Sequence, residues 1–304
     1  MSWFLIALGA PFLWAFVNIA DKFLVDNYSG KEKSSGSLVL FSSLIGIVAC
    51  IGIALFTNGF LMVDFFDRIL LVVTGILGIC WVILYLFALE IEDVSTVVPW
   101  MLTIPVFGYF LGYIILGESL SVQQLIGGVV VLLGASILAF DFSGIKILFK
   151  KKIAFLMLLS CLIYSVNGVI FKFVTEVDSF WGSSFWEYLG LGVGGIFIFL
   201  CNKKYRNQFI SNIKESGRKI FMLNISSEWV TIFGNLLTNY ALLLAPVAMV
   251  YLVHTFQPVV VLFFTFLTTK FFPKVITEDF SLKVLFPKIV AIGIMIIGSI
   301  FLLR

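Results

Sequence analysis

The sequence predicts an all-α integral membrane protein whose ten transmembrane helices form two inverted five-helix repeats. Three observations carry that expectation. The 304 residues are 61% hydrophobic and 12% charged, with a mean hydropathy of +1.12; soluble domains are nearer ~45–50% apolar and ~25% charged. The apolar runs are about twenty residues long and lack the alternation of strands, and lipid leaves only helices or a closed barrel to satisfy the backbone. The two halves of the chain also repeat each other's landmarks in the same order.

The ten spans are read at 3–25, 37–57, 69–90, 94–116, 122–140, 153–174, 181–201, 219–243, 247–269 and 286–303. Residues 1–141 make the first repeat and 152–304 the second. The longest connections are 202–218 and 270–285. No basic stretch precedes the opening MSWFLIALGA, so no cleavable signal peptide is expected. Cys50, Cys80, Cys161 and Cys201 all lie in apolar spans without a C-x-x-C pair. They read as packing residues, and neither a disulfide framework nor a metal site is expected.

The basic residues fall mostly on one face. Lys31 and Lys33 follow span 1, and Lys146, Lys150, Lys151 and Lys152 follow span 5. Span 7 is followed by Lys203, Lys204, Arg206, Lys214, Arg218 and Lys219, and span 9 is followed by Lys270, Lys274, Lys283 and Lys288. The other face carries only Arg68 and Arg304. Basic residues favour the cytoplasm, which places both termini outside a prokaryotic cytoplasmic (plasma) membrane. These lysines flank membrane spans, so nucleic acid is not an expected partner.

The repeat rests on specific pairs. An offset of 153 sets Ala88 on Ala241, Val94 on Val247 and Pro105 on Pro258. An offset of 150 sets Trp14 on Tyr164, Lys22 on Lys172, Phe23 on Phe173 and Ser29 on Ser179. GGVVVLLGASIL (127–138) matches AIGIMIIGSIFL (291–302), with Gly134 on Gly298. Five spans is an odd number, so the second half inserts upside down. Inverted repeats place a binding site near the bilayer midplane and allow alternating access.

The stretch STVVPWMLTIPVFGYFLGYIILGESLSVQQLIGGVVVLLGASIL (95–138), with the Trp14-centred first span, resembles the EamA family of the drug/metabolite transporter superfamily. The shared features are a proline-bearing fourth span, Gly117-Glu118 at its end, and Gln124 and Gly127 opening a glycine-rich fifth span. The resemblance implies a ten-helix carrier with a central cavity built by spans 1, 3, 4, 6, 8 and 9. It also implies a substrate class of amino acids or related amphipathic solutes, and export. The second repeat lacks a Gly-Glu at the matching point; Glu278 stands as its displaced counterpart.

Polar residues inside spans are costly against lipid and mark protein-facing or wet surfaces. On span 8, Asn224, Glu228, Thr231, Asn235 and Thr238 recur at spacings of 4, 3, 4 and 3 and so share a helical face. Glu228, near mid-depth, reads as a proton-coupling group, as a substrate-binding residue pairing a cationic substrate group, or as a structural carboxylate bonded to a neighbouring span. Glu187 on span 7, near the outer face, is the second proton-coupling candidate; recruitment of substrate at the outer mouth and a snorkelling carboxylate are its other readings. The equivalent face of span 3 bears Gly75, Gly78, Val82 and Tyr85 beside Trp81. Span 9 sets Tyr251, His254 and Pro258 on one face; a lone histidine is either a packing residue or a ligand group. Trp14 with Asn18 on span 1, and Tyr164 with Asn167 on span 6, can stack on a solute or attract a cation. With Trp100 on span 4 these make the candidate substrate-binding set. Pro105 and Pro258 are candidate helix hinges, Pro99 marks a helix entrance, and Lys22 and Lys172 are expected to snorkel.

Other chemistry is not expected. GLGVGG (190–195) has no preceding strand, so Gly190 and Gly194 read as close helix packing rather than a dinucleotide site. No Walker motif, H-E-x-x-H or nucleophile elbow is present, so a gradient rather than ATP supplies energy. The expected partners are a small-molecule substrate, the lipid bilayer and protons as coupling ion, with no cofactor, in a monomer or homodimer. A flippase for a lipid or lipid-linked sugar, a non-transporting assembly subunit and a membrane-embedded enzyme are the rival readings. The enzyme is disfavoured because no acid–base–nucleophile set converges.

Overall fold

The computed structural model describes residues 2–28, 35–91, 97–139, 151–215, 218–271 and 282–303. Lys31, Lys33, Lys146, Lys150, Lys274 and Glu278 lie outside the described residues, as do the side chains of Asn18 and Lys22. Every regular element among the described residues is helical. Three long helices open the chain: α1 (Ser2–Tyr28), α2 (Ser35–Phe56) and α3 (Phe65–Ile91). The fourth span is composite. A 3-10 turn (Val98–Thr103) leads into α4 (Ile104–Leu111), which ends in a π turn (Gly112–Leu116). The chain continues through α5 (Val122–Ala139), α6 (Lys151–Thr175), α7 (Phe180–Cys201), α8 (Lys203–Glu215), α9 (Arg218–Leu242), α10 (Val247–His254), α11 (Gln257–Phe271) and α12 (Leu282–Leu302).

Among the described residues, six stretches are long and apolar enough to cross a membrane: Gly36–Phe56, Phe65–Ala88, Lys151–Thr175, Phe180–Cys201, Val247–Phe264 and Leu285–Leu302. Shorter apolar helices run over Ser2–Val17, Trp100–Leu116 and Val122–Ile137. The protein is therefore a multi-pass membrane protein by length and composition.

Two spans are less continuous than the sequence suggests. Span 9 breaks between α10 and α11, where the Thr255 and Phe256 amides bond three residues back to Leu252 and Val253. Pro258 then sits in the first turn of α11, where its missing N–H breaks no helical bond. Pro105 has the same position in the first turn of α4. Side chains cover carbonyls around this junction: Thr103 and Cys161 donate to Trp100 O at 2.7 and 3.5 Å, and the one Ser165 hydroxyl proton is shared between Ile104 O at 3.1 Å and Cys161 O of its own helix at 2.9 Å. Inside a membrane such donors must come from protein, and α6 supplies two of them. The connection 202–218 is also mostly helix. Tyr205 and Phe209, four apart, give α8 one face that packs on α2.

The helices pair in a regular pattern. α1 lies on α9, and α3 on α6; α2 lies on α7, α4 on α10 and α5 on α12. Small residues let these backbones approach. A β-carbon on Gly127 of α5 would lie 2.8 Å from the Gly298 carbonyl, and one on Gly134 would lie 2.9 Å from the Ala291 carbonyl. Higher numbers on α5 thus meet lower numbers on α12, so the pair runs antiparallel. The same holds for α2 with α7, where a β-carbon on Gly46 would lie 2.8 Å from Tyr188 O and one on Gly195 would lie 2.6 Å from Ser43 Cβ. It holds again for α4 with α10, where Gly108 meets Tyr251 and Gly112 faces Val247. Gly190 and Gly194 of α7 press on Val72 and Ile79 of α3, so this Gly-x-x-x-Gly is a packing surface.

Candidate functional site

Most of the aromatic residues singled out in the sequence meet in one row. Tyr85 and Trp81 of α3 have ring centroids 6.1 Å apart, and Trp81 meets Tyr164 of α6 at 5.2 Å. Tyr164 meets Tyr251 of α10 at 5.5 Å, Tyr251 meets His254 at 5.8 Å, and His254 meets Trp14 of α1 at 5.1 Å. Each spacing is within the range of favourable aromatic pairs. The row joins four helices drawn from both halves of the chain.

Glycines give the rings their room. A β-carbon on Gly168 of α6 would collide with the Tyr251 hydroxyl, which sits 3.4 Å from Tyr164 O. A β-carbon on Gly234 of α9 would lie 2.6 Å from the Trp14 indole nitrogen. Tyr251 is 1% exposed, whereas Trp14, Trp81, Tyr85, Tyr164 and His254 are half-buried. The Thr238 hydroxyl donates to Gly234 O at 3.1 Å and lies 3.2 Å from His254 Nε2. Trp100 sits one layer away, packed with Tyr85 around Ala88, Met157 and Cys161.

The carboxylates fall elsewhere on the frame. Glu187 Oε2 accepts from Asn239 Nδ2 at 2.7 Å, linking α7 to α9. Glu228 Oε1 accepts from Ser42 Oγ of α2 at 2.6 Å. The polar stripe of α9 is thus divided among neighbours at different heights. Glu228 turns to α2, Thr238 to α10 and Asn239 to α7, while Thr231 bonds its own helix at Ser227 O (3.1 Å). Asn235 and Asn167 are half-buried. Asn167 faces Gly78 of α3, and its Oδ1 has no hydrogen-bond partner among the described residues.

A buried ion pair was not foreseen from the sequence. Lys172, expected to snorkel, is 6% exposed and donates to Glu118 Oε1 at 2.6 Å and to Ala245 O at 2.9 Å. Glu118 Oε2 accepts from the Val247 amide at 2.8 Å, which caps the start of α10 with a negative charge. The local backbone explains why Glu118 turns inward. Gly117 takes φ 69°, the left-handed conformation glycine tolerates, and the Glu118 amide returns to Gly112 O at 3.1 Å. The available signals were a lysine inside a span and a Gly-Glu closing another. Asn239 was also missed, and its signal was an amide in an apolar helix.

Residues 1–140 match the family model of the EamA-like transporter family, a family of the drug/metabolite transporter superfamily. No curated protein matches. A solved structure, described as "Crystal structure of protein", shares the fold with a TM-score of 0.68 at 13% identity, over 99% of this chain and 96% of that one.

Proposed function

We propose, from the premise of an EamA-type first half, that the protein is a secondary-active transporter of small organic solutes working by alternating access between two inverted five-helix halves. The observation that carries this reading is the helix pairing. Exchanging each span with the one five places later turns α1 on α9 into α6 on α3, and leaves α2 on α7, α4 on α10 and α5 on α12 unchanged; the extensive packing of α3 on α7 has only a slight counterpart in α9 on α2 and departs from the pattern. The self-matched pairs run antiparallel, as halves related by an axis in the membrane plane require. The Gly127–Gly298 and Gly134–Ala291 contacts are exchanged by the same operation, because 127 aligns with 291 and 134 with 298.

In this reading the aromatic row is the substrate path. Trp14, Trp81, Tyr85, Tyr164, Tyr251 and His254 offer stacking and cation-attracting faces, with Trp100, Asn167, Thr231 and Asn235 as polar and aromatic supplements. Such a lining suits an amino acid or a related amphipathic solute. Glu187, bonded to Asn239, and Glu228, bonded to Ser42, are the candidate coupling carboxylates. Pro105 and Pro258 start helices at matching breaks and act as hinges. The cluster of Glu118, Lys172 and Val247 fastens the halves together and makes its end the closed one. Export, a cytoplasmic-membrane location and outside termini follow from the resemblance and the lysine bias.

Flux of labelled solutes into proteoliposomes tests the function. Transport of at least one member of an amino-acid, amine and sugar panel is expected, with its pH dependence lost in Glu187→Gln. Silence across the panel in both directions refutes the carrier, and unchanged pH dependence in both Glu187→Gln and Glu228→Gln refutes the coupling role. A cysteine placed beside Lys204 should react with an impermeant reagent only from the cytoplasmic side.

A further inference from the structure

A cavity of about 510 Å³ lies where α7 meets α8, away from the aromatic row. Its apolar wall is Ile83 of α3 with Phe197, Ile198 and Cys201 of α7, and Asn202, Lys203 and Tyr205 complete it. It is an open surface groove whose volume falls in the range of ligand sites. Its position is specific too, because α7 is one of the helices long and apolar enough to cross a membrane, and the cavity sits at its last turn. Lipid headgroups lie at that level.

α8 has the build of an interfacial helix. Phe209 packs its inner face onto Phe41 of α2 at 5.0 Å and Phe199 of α7 at 6.1 Å. Ile210 and Ile213 are 36% and 41% exposed on one flank, while Lys203, Lys204, Asn207 and Lys214 are exposed around the rest. Among the described residues no acidic side chain pairs with Lys203, Lys204 or Arg206. The cavity therefore has a hydrocarbon wall and a basic rim that no acidic side chain among the described residues neutralises. A free anion leaves the wall unfilled, and a zwitterionic lipid leaves the charge unmatched.

We propose that this cavity binds an anionic phospholipid, with an acyl chain against Ile83, Phe197 and Ile198 and the headgroup phosphate at Lys203. Lys204 and Arg206 add to the positive potential at the headgroup. A basic amphipathic helix on a membrane attracts anionic lipid through both terms. The assignment rests on the chain spanning a membrane and is independent of the transport reading.

Cys201 lines the cavity and is exposed, whereas Cys50 and Cys161 are buried. In the full chain carrying Cys80→Ser, alkylation of Cys201 by a maleimide reports occupancy. Dioctanoyl phosphatidylglycerol should slow that reaction, while dioctanoyl phosphatidylcholine and glycerol phosphate should not. Lys203→Gln should weaken the protection about fivefold, the effect of removing one basic residue near an anionic surface, and Lys203→Arg should keep it. Equal protection by both lipids, protection by glycerol phosphate, or a Lys203→Gln protein as well protected as the parent overturns the proposal. Mass spectrometry of the intact protein, counting retained phosphatidylglycerol, gives the same decision for any variant too unstable to label.

Discussion

Breaking the Glu118–Lys172 pair should destabilise the protein strongly, and breaking it twice should cost less than the two single losses together. The two side chains are only 13% and 8% exposed, so neither charge is well hydrated once its partner is gone. Glu118→Gln leaves the Lys172 ammonium with Ala245 O at 2.9 Å and the exposed Glu176 at 3.9 Å. Lys172→Met leaves the Glu118 carboxylate with the Val247 amide alone. Removing one member of a buried pair typically costs about 3–5 kcal/mol. At roughly 2–4 °C per kcal/mol, each single variant should lose on the order of 10 °C in thermal midpoint. The double variant removes both charges, so its loss should fall short of the sum by about 1–3 kcal/mol. The assay is thermal unfolding in detergent, followed by circular dichroism for all four proteins under one condition. Single variants that shift the midpoint by under about 2 °C, or losses that simply add, would show that the pair is not coupled and would remove its role as the fastening between halves.

Gly168→Ala places a β-carbon in the Tyr251 hydroxyl and should cost about 1–3 kcal/mol through overpacking. Adding Tyr251→Phe should restore part of the midpoint, and no restoration would mean that the helix backbone, not the hydroxyl, sets the limit. Asp178, in the turn between α6 and α7, is raised above the usual carboxylate range, first by burial and then by the charges of Asp67 and Asp64. A carboxyl raised in the fold destabilises when ionised. That cost is fully present above its folded value and gone below the unfolded value of about 3.9. Asp178→Asn should therefore raise the thermal midpoint near neutral pH, with the gain fading on acidification. A gain that persists undiminished in acid would contradict this assignment.

The membrane class and the six long apolar helices were legible because backbone satisfaction in lipid demands such helices. Composition and run length report that demand directly. Interruptions were legible in part. Pro105 and Pro258 announced irregular places, but the full break at Thr255–Phe256 and the π turn at Gly112–Leu116 depend on neighbouring helices that hold them. α8 was hidden because its apolar face is a few residues wide, and Phe41 of α2 and Phe199 of α7 supply the surface it packs on.

What the sequence determined by itself was the solvent and the order of helices, along with the repeated landmarks, since these follow from local composition and from pairing one half with the other. Which polar group meets which was decided by the tertiary structure. Lys172 finds Glu118, Glu187 finds Asn239 and Glu228 finds Ser42, each across tens of residues or more. In water an amphipathic pattern distinguishes the buried face from the wet one. In a membrane the lipid-facing and protein-facing surfaces are both apolar, so periodicity cannot tell the neighbour of a polar side chain. Only the packed helices, brought together by glycines with no side chain to keep them apart, make that choice.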